Sequence, residues 1–297
     1  MVNARPTVER RQLGLALKRL REQAGKSQLD AGQHIGKDDS RISKIEDGLA
    51  TLSADHLDRL LDLYGVTGDD KDTIIAVGAE ARKRQPRRAY IDLLPGSFQR
   101  FADLEAAATK IHCYESGVIP GLLQSPRYVN ALFAAADSVW WEPSDAIRQN
   151  RANFRFRRQE TTWRAKKDKG LHFVVGEAAV DDLTGDIEVM REQLQHLLDV
   201  AERRPNATIQ LLPRTAADNP ARGGGLTVLE FGSSVPRIGF ASVVHGPSTY
   251  YDDGEDTTAM LRTFQRLCDL SLTPGDTKKA VIRKLERLQG NARSHLP

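Results

Sequence analysis

Residues 27–48 read SQLDAGQHIGKDDSRISKIEDG, and the assignment of the front of the chain turns on them. Ser27 is followed three positions on by Asp30, a capping-box spacing with Asp in place of the usual Glu or Gln, so a helix begins there. Gly36 supplies a tight turn. Asp38 then offers a side-chain oxygen to the first turn of a further helix, and Gly48 closes it. Ala31 is small where two helices cross, and Ile35, Ile42 and Ile45 point into a core. Two short helices joined by a glycine turn make a helix-turn-helix, whose second helix lies in the major groove and presents side chains to base edges.

The flanking segments supply the helices that build that core. In ERRQLGLALKRLREQA, residues 9–24, Leu13, Leu17, Leu20 and Ala24 fall on one face with arginines on the other, and Gly25 stops the helix. Ser53 caps ADHLDRLLDLYG, which turns Leu57, Leu60, Leu61 and Tyr64 inward. One more helix follows Val66, and then a basic, Pro-containing connector. The expected organisation is an all-α helix-turn-helix domain at 1–80, a connector at 81–92 and a larger mixed α/β domain with a small sheet at 93–297. The fold class is α+β, mainly helical. In the larger domain helices are expected near 97–112, 125–136, 144–164, 186–203, 256–270 and 275–289, and strands near 171–175, 207–212, 226–231 and 238–244.

At 297 residues the chain suits two domains or one large one. No run approaches the roughly 18 apolar residues of a membrane span, and MVNARPTVERR has no apolar signal region, which points to the cytoplasm and to no membrane partner. Cys113 and Cys268 stand far apart without C-x-x-C spacing, against a zinc module or a disulfide scaffold. Residues 1–90 hold 17 Lys and Arg against 14 Asp and Glu, so the whole net charge of +3 sits there. That is a weak pointer to nucleic acid.

The stretch 27–48 resembles the Xre/Cro-type helix-turn-helix family almost position by position. The resemblance implies sequence-specific binding of double-stranded operator DNA. It places Gln28 on a phosphate, Asp39, Ser40 and Lys44 at base-facing positions with Ser43 beside them, and Lys37 and Arg41 near the DNA backbone. It also implies that Arg21 pairs with Glu46. Asp38 reads as an N-cap favoured by the helix dipole. Asp39 has two readings, acceptance from a cytosine amine or an acid offset by Lys37 and Arg41.

Further along, residues 114–128 read YESGVIPGLLQSPRY. With RRQE at 157–160, FVVGEAAV at 173–180, residues 189–213 and the final LTPGDTKKAVIRKLERL, this resembles a family of antitoxin-like regulators from filamentous, antibiotic-producing bacteria whose second domain carries a P-G-L-L-Q motif. The resemblance implies a regulator of development and secondary metabolism whose second domain dimerises and senses a small-molecule effector or a small protein encoded by the adjacent gene. The alternative it implies is an antitoxin-like protein whose main task is to hold that partner. From the residues alone the stretch makes a rigid corner. Pro120-Gly121 fixes a bend, Leu122 and Leu123 bury, and Ser125-Pro126 starts a helix with Tyr128 and Phe133 on its buried side. A ligand-lining role for Tyr114, Glu115, Leu123, Gln124 and Tyr128 is the second reading.

Two basic stretches stand out: Arg82, Lys83, Arg84, Arg87 and Arg88, suited to a DNA backbone or a solvated linker, and residues 148–169, with Phe154, Phe156 and Trp163 interleaved. For catalysis, His112, Cys113 and Glu115, and His172 with Glu177, match no metal or nucleophile spacing, and ARGGGLT at 221–227 precedes a strand rather than a helix. Neither an enzyme nor a cofactor is expected.

Overall fold

The computed structural model describes residues 6–83, 89–136, 139, 144–164, 169–232, 235–242 and 248–294. In chain order the elements are α1 (Val8–Gln23), α2 (Gln28–His34), α3 (Asp39–Glu46), α4 (Ala54–Leu63), α5 (Gly68–Arg82), β1 (Tyr90–Asp92), α6 (Ser97–Ala107), β2 (Lys110–Glu115), a 3-10 turn (Gly121–Leu123), α7 (Pro126–Ala136), α8 (Asp145–Arg164), β3 (Gly170–Gly176), α9 (Ala178–Asp181), α10 (Ile187–Arg203), β4 (Ala207–Leu212), β5 (Leu226–Glu230), β6 (Ile238–Ala241), β7 (Ser248–Tyr251), α11 (Gly254–Leu270) and α12 (Pro274–Ser294). Helix predominates, with an all-helical front followed by a mixed α/β region. The chain divides into two compact units, Met1–Ala108 with Leu229–Thr257, and Thr109–Val228 with Thr258–Pro297.

In the first unit the sequence signals for helix ends become hydrogen bonds. Ser27 and Asp30 form both halves of the capping box, Asp30 N–H to Ser27 Oγ at 3.0 Å and Ser27 N–H to Asp30 Oδ2 at 2.8 Å. Asp38 Oδ1 accepts the Arg41 N–H at 2.7 Å, and Ser53 Oγ that of His56 at 3.2 Å. Gly36 turns with φ +68° and Gly48 with φ +73°, values that cost an L side chain strain. Leu13, Leu17, Ala31, Ile35, Ile42, Ile45, Leu57, Leu60 and Leu61 close one core. Helices α1 and α3 cross so tightly that a Cβ on Gly14 would lie 2.4 Å from the Ile45 carbonyl oxygen.

The other face of α1 is not the wet face its arginines suggested. Glu9, Arg11 and Gln12 are buried, and burial raises the Glu9 carboxyl above its ordinary range. Arg11 donates to the Asp47 carbonyl after α3 at 2.9 Å, while Gln12 faces β1 and the helix packs against α6. Strands β1, β7 and β6 pair antiparallel in that order, with Tyr90 opposite Tyr250 and Gly239 opposite Tyr251. Phe101 of α6 stacks 4.3 Å from Phe240 between ring centroids. Arg19 Nε bonds Asp103 at 3.2 Å, and Gln12 Nε2 reaches Asp92 Oδ2 at 3.4 Å. The units therefore do not divide at a connector over 81–92. Helix α1 buries two faces, and the second holds β1 and α6 in the same unit. Residues 84–88 of the expected connector lie outside the described residues.

In the second unit the strand order is β5-β2-β3-β4. Strands β2, β3 and β4 run parallel, with Ile111 opposite Leu171 and Leu171 opposite Ala207. Their crossovers carry α7 to α10, as parallel pairing requires. Tyr114, Val174, Val228, Phe264 and Leu267 fill one core.

Several expectations need correction here. The helix expected over 97–112 stops at Ala107, because Ala108 turns extended and the helical period gives way to the strand IHCYE. Strands β1 and β7 and the one-turn helix α9 were not expected; each has four residues or fewer, too short for a period to show. The strand expected at 238–244 is described only over Ile238–Ala241, and residues 243–247 lie outside the described residues. Phe133, expected on a buried side, is half-buried with the Arg155 guanidinium 5.5 Å from its ring centre.

Candidate nucleic-acid interface

Helix α3 sorts its eight residues by face. Ile42, Ile45 and Glu46 are buried, while Asp39, Ser40 and Lys44 are exposed and Arg41 and Ser43 half-exposed. Lys37 is exposed in the turn before it, and Gln28 opens α2. The helix is thus anchored by one face and free to meet a groove with the other.

A buried ion pair fixes the anchored face. Arg21, at the end of α1, meets Glu46 at the end of α3 through Nε to Oε1 at 2.5 Å and Nη2 to Oε2 at 3.0 Å. Arg21 also donates to the Lys26 carbonyl at 2.8 Å. Burial of two parallel bonds of this kind gives geometric specificity as well as energy. Gln28 joins the pair, its Nε2 donating to Glu46 Oε2 at 2.8 Å. That bond was not legible beforehand, because Gln28 and Glu46 lie on different helices 18 positions apart. It takes one of the two amide hydrogens of Gln28 and leaves one for a phosphate.

The exposed face is of mixed charge. The Asp38 carboxylate is spent on capping the helix N-terminus, where the backbone dipole favours a negative group. Asp39 Oδ1 accepts the Ser40 N–H at 2.8 Å, a local bond within the first turn. Arg41 Nη2 donates to the Thr51 carbonyl at 2.8 Å, which ties the side chain to the loop after α3. Lys37 and Lys44 remain as exposed cations, and Ser40 and Ser43 as short donors and acceptors suited to base edges. Arg59, which donates to the His34 carbonyl, adds an exposed cation beside α2 that the sequence reading missed.

The P-G-L-L-Q stretch of the second unit is a clamp. Leu122, Leu123, Gln124 and Ser125 are buried. Gln193 of α10 accepts the Ser125 N–H and donates to the Leu123 carbonyl, each at 2.7 Å. Gln159 of α8 donates to the carbonyls of Gly121 and Gln124 at 2.8 and 2.9 Å. The Trp163 indole donates to Leu122 O at 3.1 Å, and Gln124 spans Ile119 O and the Arg155 guanidinium. Tyr128 takes the Ile119 N–H on its hydroxyl at 3.3 Å, and Tyr114 accepts from Asn219 at 3.2 Å. Glu115 is half-buried at the end of β2. So the residues weighed as ligand-lining make bonds within the chain itself. Gln193→Ala should lower stability by at least about 2 kcal/mol, since it orphans one buried donor and one buried acceptor at roughly 1–3 kcal/mol each. Urea unfolding checks this, with an unchanged midpoint counting against the clamp.

His112 and His172 are neighbours across β2 and β3, and Cys268 Sγ lies 3.6 Å from His172 Nε2. That nitrogen is held by Gln210 Oε1 at 2.7 Å. Burial lowers His172 below its ordinary range and pushes the Cys268 thiol up to about 11, the opposite of an activated nucleophile. Among the described residues no group of three or more His, Cys, Asp or Glu is arranged to hold a metal. Among them, too, no helix is long and apolar enough to cross a membrane. Gly223 and Gly224 lead into β5, as read from the sequence. Arg84, Arg87, Arg88, Lys166 and Lys167 lie outside the described residues.

A helix-turn-helix domain model matches residues 12–74, and a model described as a domain of unknown function (DUF5753) matches residues 98–283, more than half of the chain. No curated protein matches the chain, and no solved structure does.

Proposed function

We propose that this chain, which belongs to the DUF5753 family and carries a helix-turn-helix domain at its front, is a sequence-specific transcriptional regulator that reads operator DNA with α3. The observation that carries this reading is the division of α3 into a locked inner face and a free outer face bearing Ser40 and Lys44. Within it, Lys44 and Ser40 meet base edges, Ser43 lies beside them, Asp39 holds the first turn and faces the groove, and Lys37, Arg41 and Gln28 follow phosphates. The protein is a binding protein rather than an enzyme, working in the cytoplasm on the Xre pattern. The DUF5753 region senses a small effector or a small partner protein. The antitoxin-like alternative gives that partner the main part.

Operator-class affinity calls for two readers on half-sites about 34 Å apart, which supports a homodimer. Because the first compact unit reaches Ala108 and takes in Leu229–Thr257, sedimentation of the full chain is the apt test. For the reading face, Lys44→Ala should weaken binding to a duplex from the region upstream of the protein's own gene by about 1–3 kcal/mol and relax preference at one base pair. Gln28→Ala should weaken all duplexes alike. Gel shifts showing both variants at wild-type affinity would remove α3 from the interface.

A further inference from the structure

Helix α8 carries an arginine-rich outer face that DNA reading by α3 leaves unused. Its inner side is fixed, because Gln159, Trp163 and Arg155 are all bonded to the clamp at Gly121–Gln124. Outside lies a groove of about 800 Å³. Phe156 and Trp163, seven positions apart and both half-buried, line its floor. Arg157, Arg164 and Arg204 rim it, all exposed, and the Arg204 guanidinium sits 5.4 Å from the Trp163 ring centre. Glu160 is the one acid in the lining and pairs with Arg164 at 2.6 Å.

We propose that this groove docks an acidic segment of a partner protein, one that sets a large apolar side chain on the Phe156–Trp163 floor. The rim carries three guanidiniums against one carboxylate, and a guanidinium fork matches a carboxylate with two parallel bonds. Tryptophan and arginine together are the residues that concentrate binding energy at protein interfaces. A protein segment fits better than a nucleic-acid backbone. Asn150, Asn153 and Glu160 offer both donors and acceptors, which suit peptide N–H and C=O groups. Phosphates accept only, and they bring no donor to the acceptor oxygens of Asn150, Asn153 and Glu160, which peptide N–H groups can meet. The arginine stacked on Trp163 is held in place before any partner arrives, which reduces the ordering cost of binding.

The test uses the full chain and a fluorescein-labelled synthetic peptide of glutamate and aspartate with one central tryptophan, read by anisotropy. The Arg157→Glu, Arg204→Glu double variant should bind it roughly tenfold more weakly or worse, with its melting curve unchanged because both side chains are exposed. Lys278→Glu, on the exposed side of α12, should bind like wild type. A peptide with Gln and Asn in place of the acids should bind poorly. Three results overturn the proposal: no binding of the acidic peptide at millimolar concentration, equal binding by wild type and double variant, or a double variant that loses affinity for non-operator duplex DNA while keeping the peptide. The last assigns the face to nucleic acid.

Discussion

Replacing Asp92 with Asn is expected to lower the stability of the chain by about 3–5 kcal/mol, the cost of leaving a buried charge without its partner. The Asp92 side chain is 0 % exposed and that of Arg100 4 %. Their carboxylate and guanidinium meet through Nη2 to Oδ1 at 2.5 Å and Nε to Oδ2 at 2.9 Å. Arg100 also donates to the carbonyls of Leu94 and Pro95 at 2.8 and 2.6 Å. Buried as it is, the guanidinium has no route to water when the carboxylate becomes a neutral amide. The loss should reach the DNA-binding region, because Gln12 of α1 bonds the same carboxylate. Denaturant midpoints of the full chain measure it. A double replacement by Leu at Asp92 and Met at Arg100 should recover much of the loss, since an apolar pair of similar volume removes the uncompensated charge. An Asp92→Asn chain as stable as wild type would mean that the pair is not buried in solution.

Glu46→Ala is the second change of this size. Arg21 would be left with the carbonyl of Lys26 and only the exposed Glu22 carboxylate, 3.8 Å away, and Gln28 would lose its acceptor. The expected cost is again about 3–5 kcal/mol, because both side chains of the pair are nearly inaccessible to water. Glu46→Gln keeps the shape and one acceptor oxygen and should cost less than Ala. The functional consequence differs from that of Asp92. Glu46 is the end of α3 itself, so the variant should lose operator affinity at temperatures where most of the chain is still folded. Thermal melts paired with binding isotherms at low temperature separate the two effects. Full operator affinity in a folded Glu46→Ala chain would contradict the idea that the pair orients α3.

What could be read in the sequence was whatever depends on neighbours along the chain. Ser27, Asp38 and Ser53 each announce a helix start, because a cap is a bond to a backbone N–H two or three residues on. The inner face of α3 followed from Ile42 and Ile45 in the same way. What could not be read depends on distant partners. Nothing near Gln12 or Arg19 shows that they will be covered by residues some 80 positions away, so α1 looked wet on a face that is buried. Strand β2 was hidden because Ile111 and Tyr114, three positions apart in KIHCYE, fit a helix end as well as a strand. The corner at Pro120–Pro126 was legible as a bend, but its fastening by Gln159 and Gln193 was not, since a glutamine on a helix gives no sign of which carbonyl it will meet.

The central claim, that the outer face of α3 reads base pairs, is tested most directly by selecting duplexes from a randomised library with the full-length protein and with a Ser40→Ala, Lys44→Ala variant. Wild type should enrich one motif, and the variant should lose preference at one or two adjacent positions while keeping its salt-dependent, sequence-independent affinity. Enrichment of the same motif by both proteins, or of none by wild type, would contradict it.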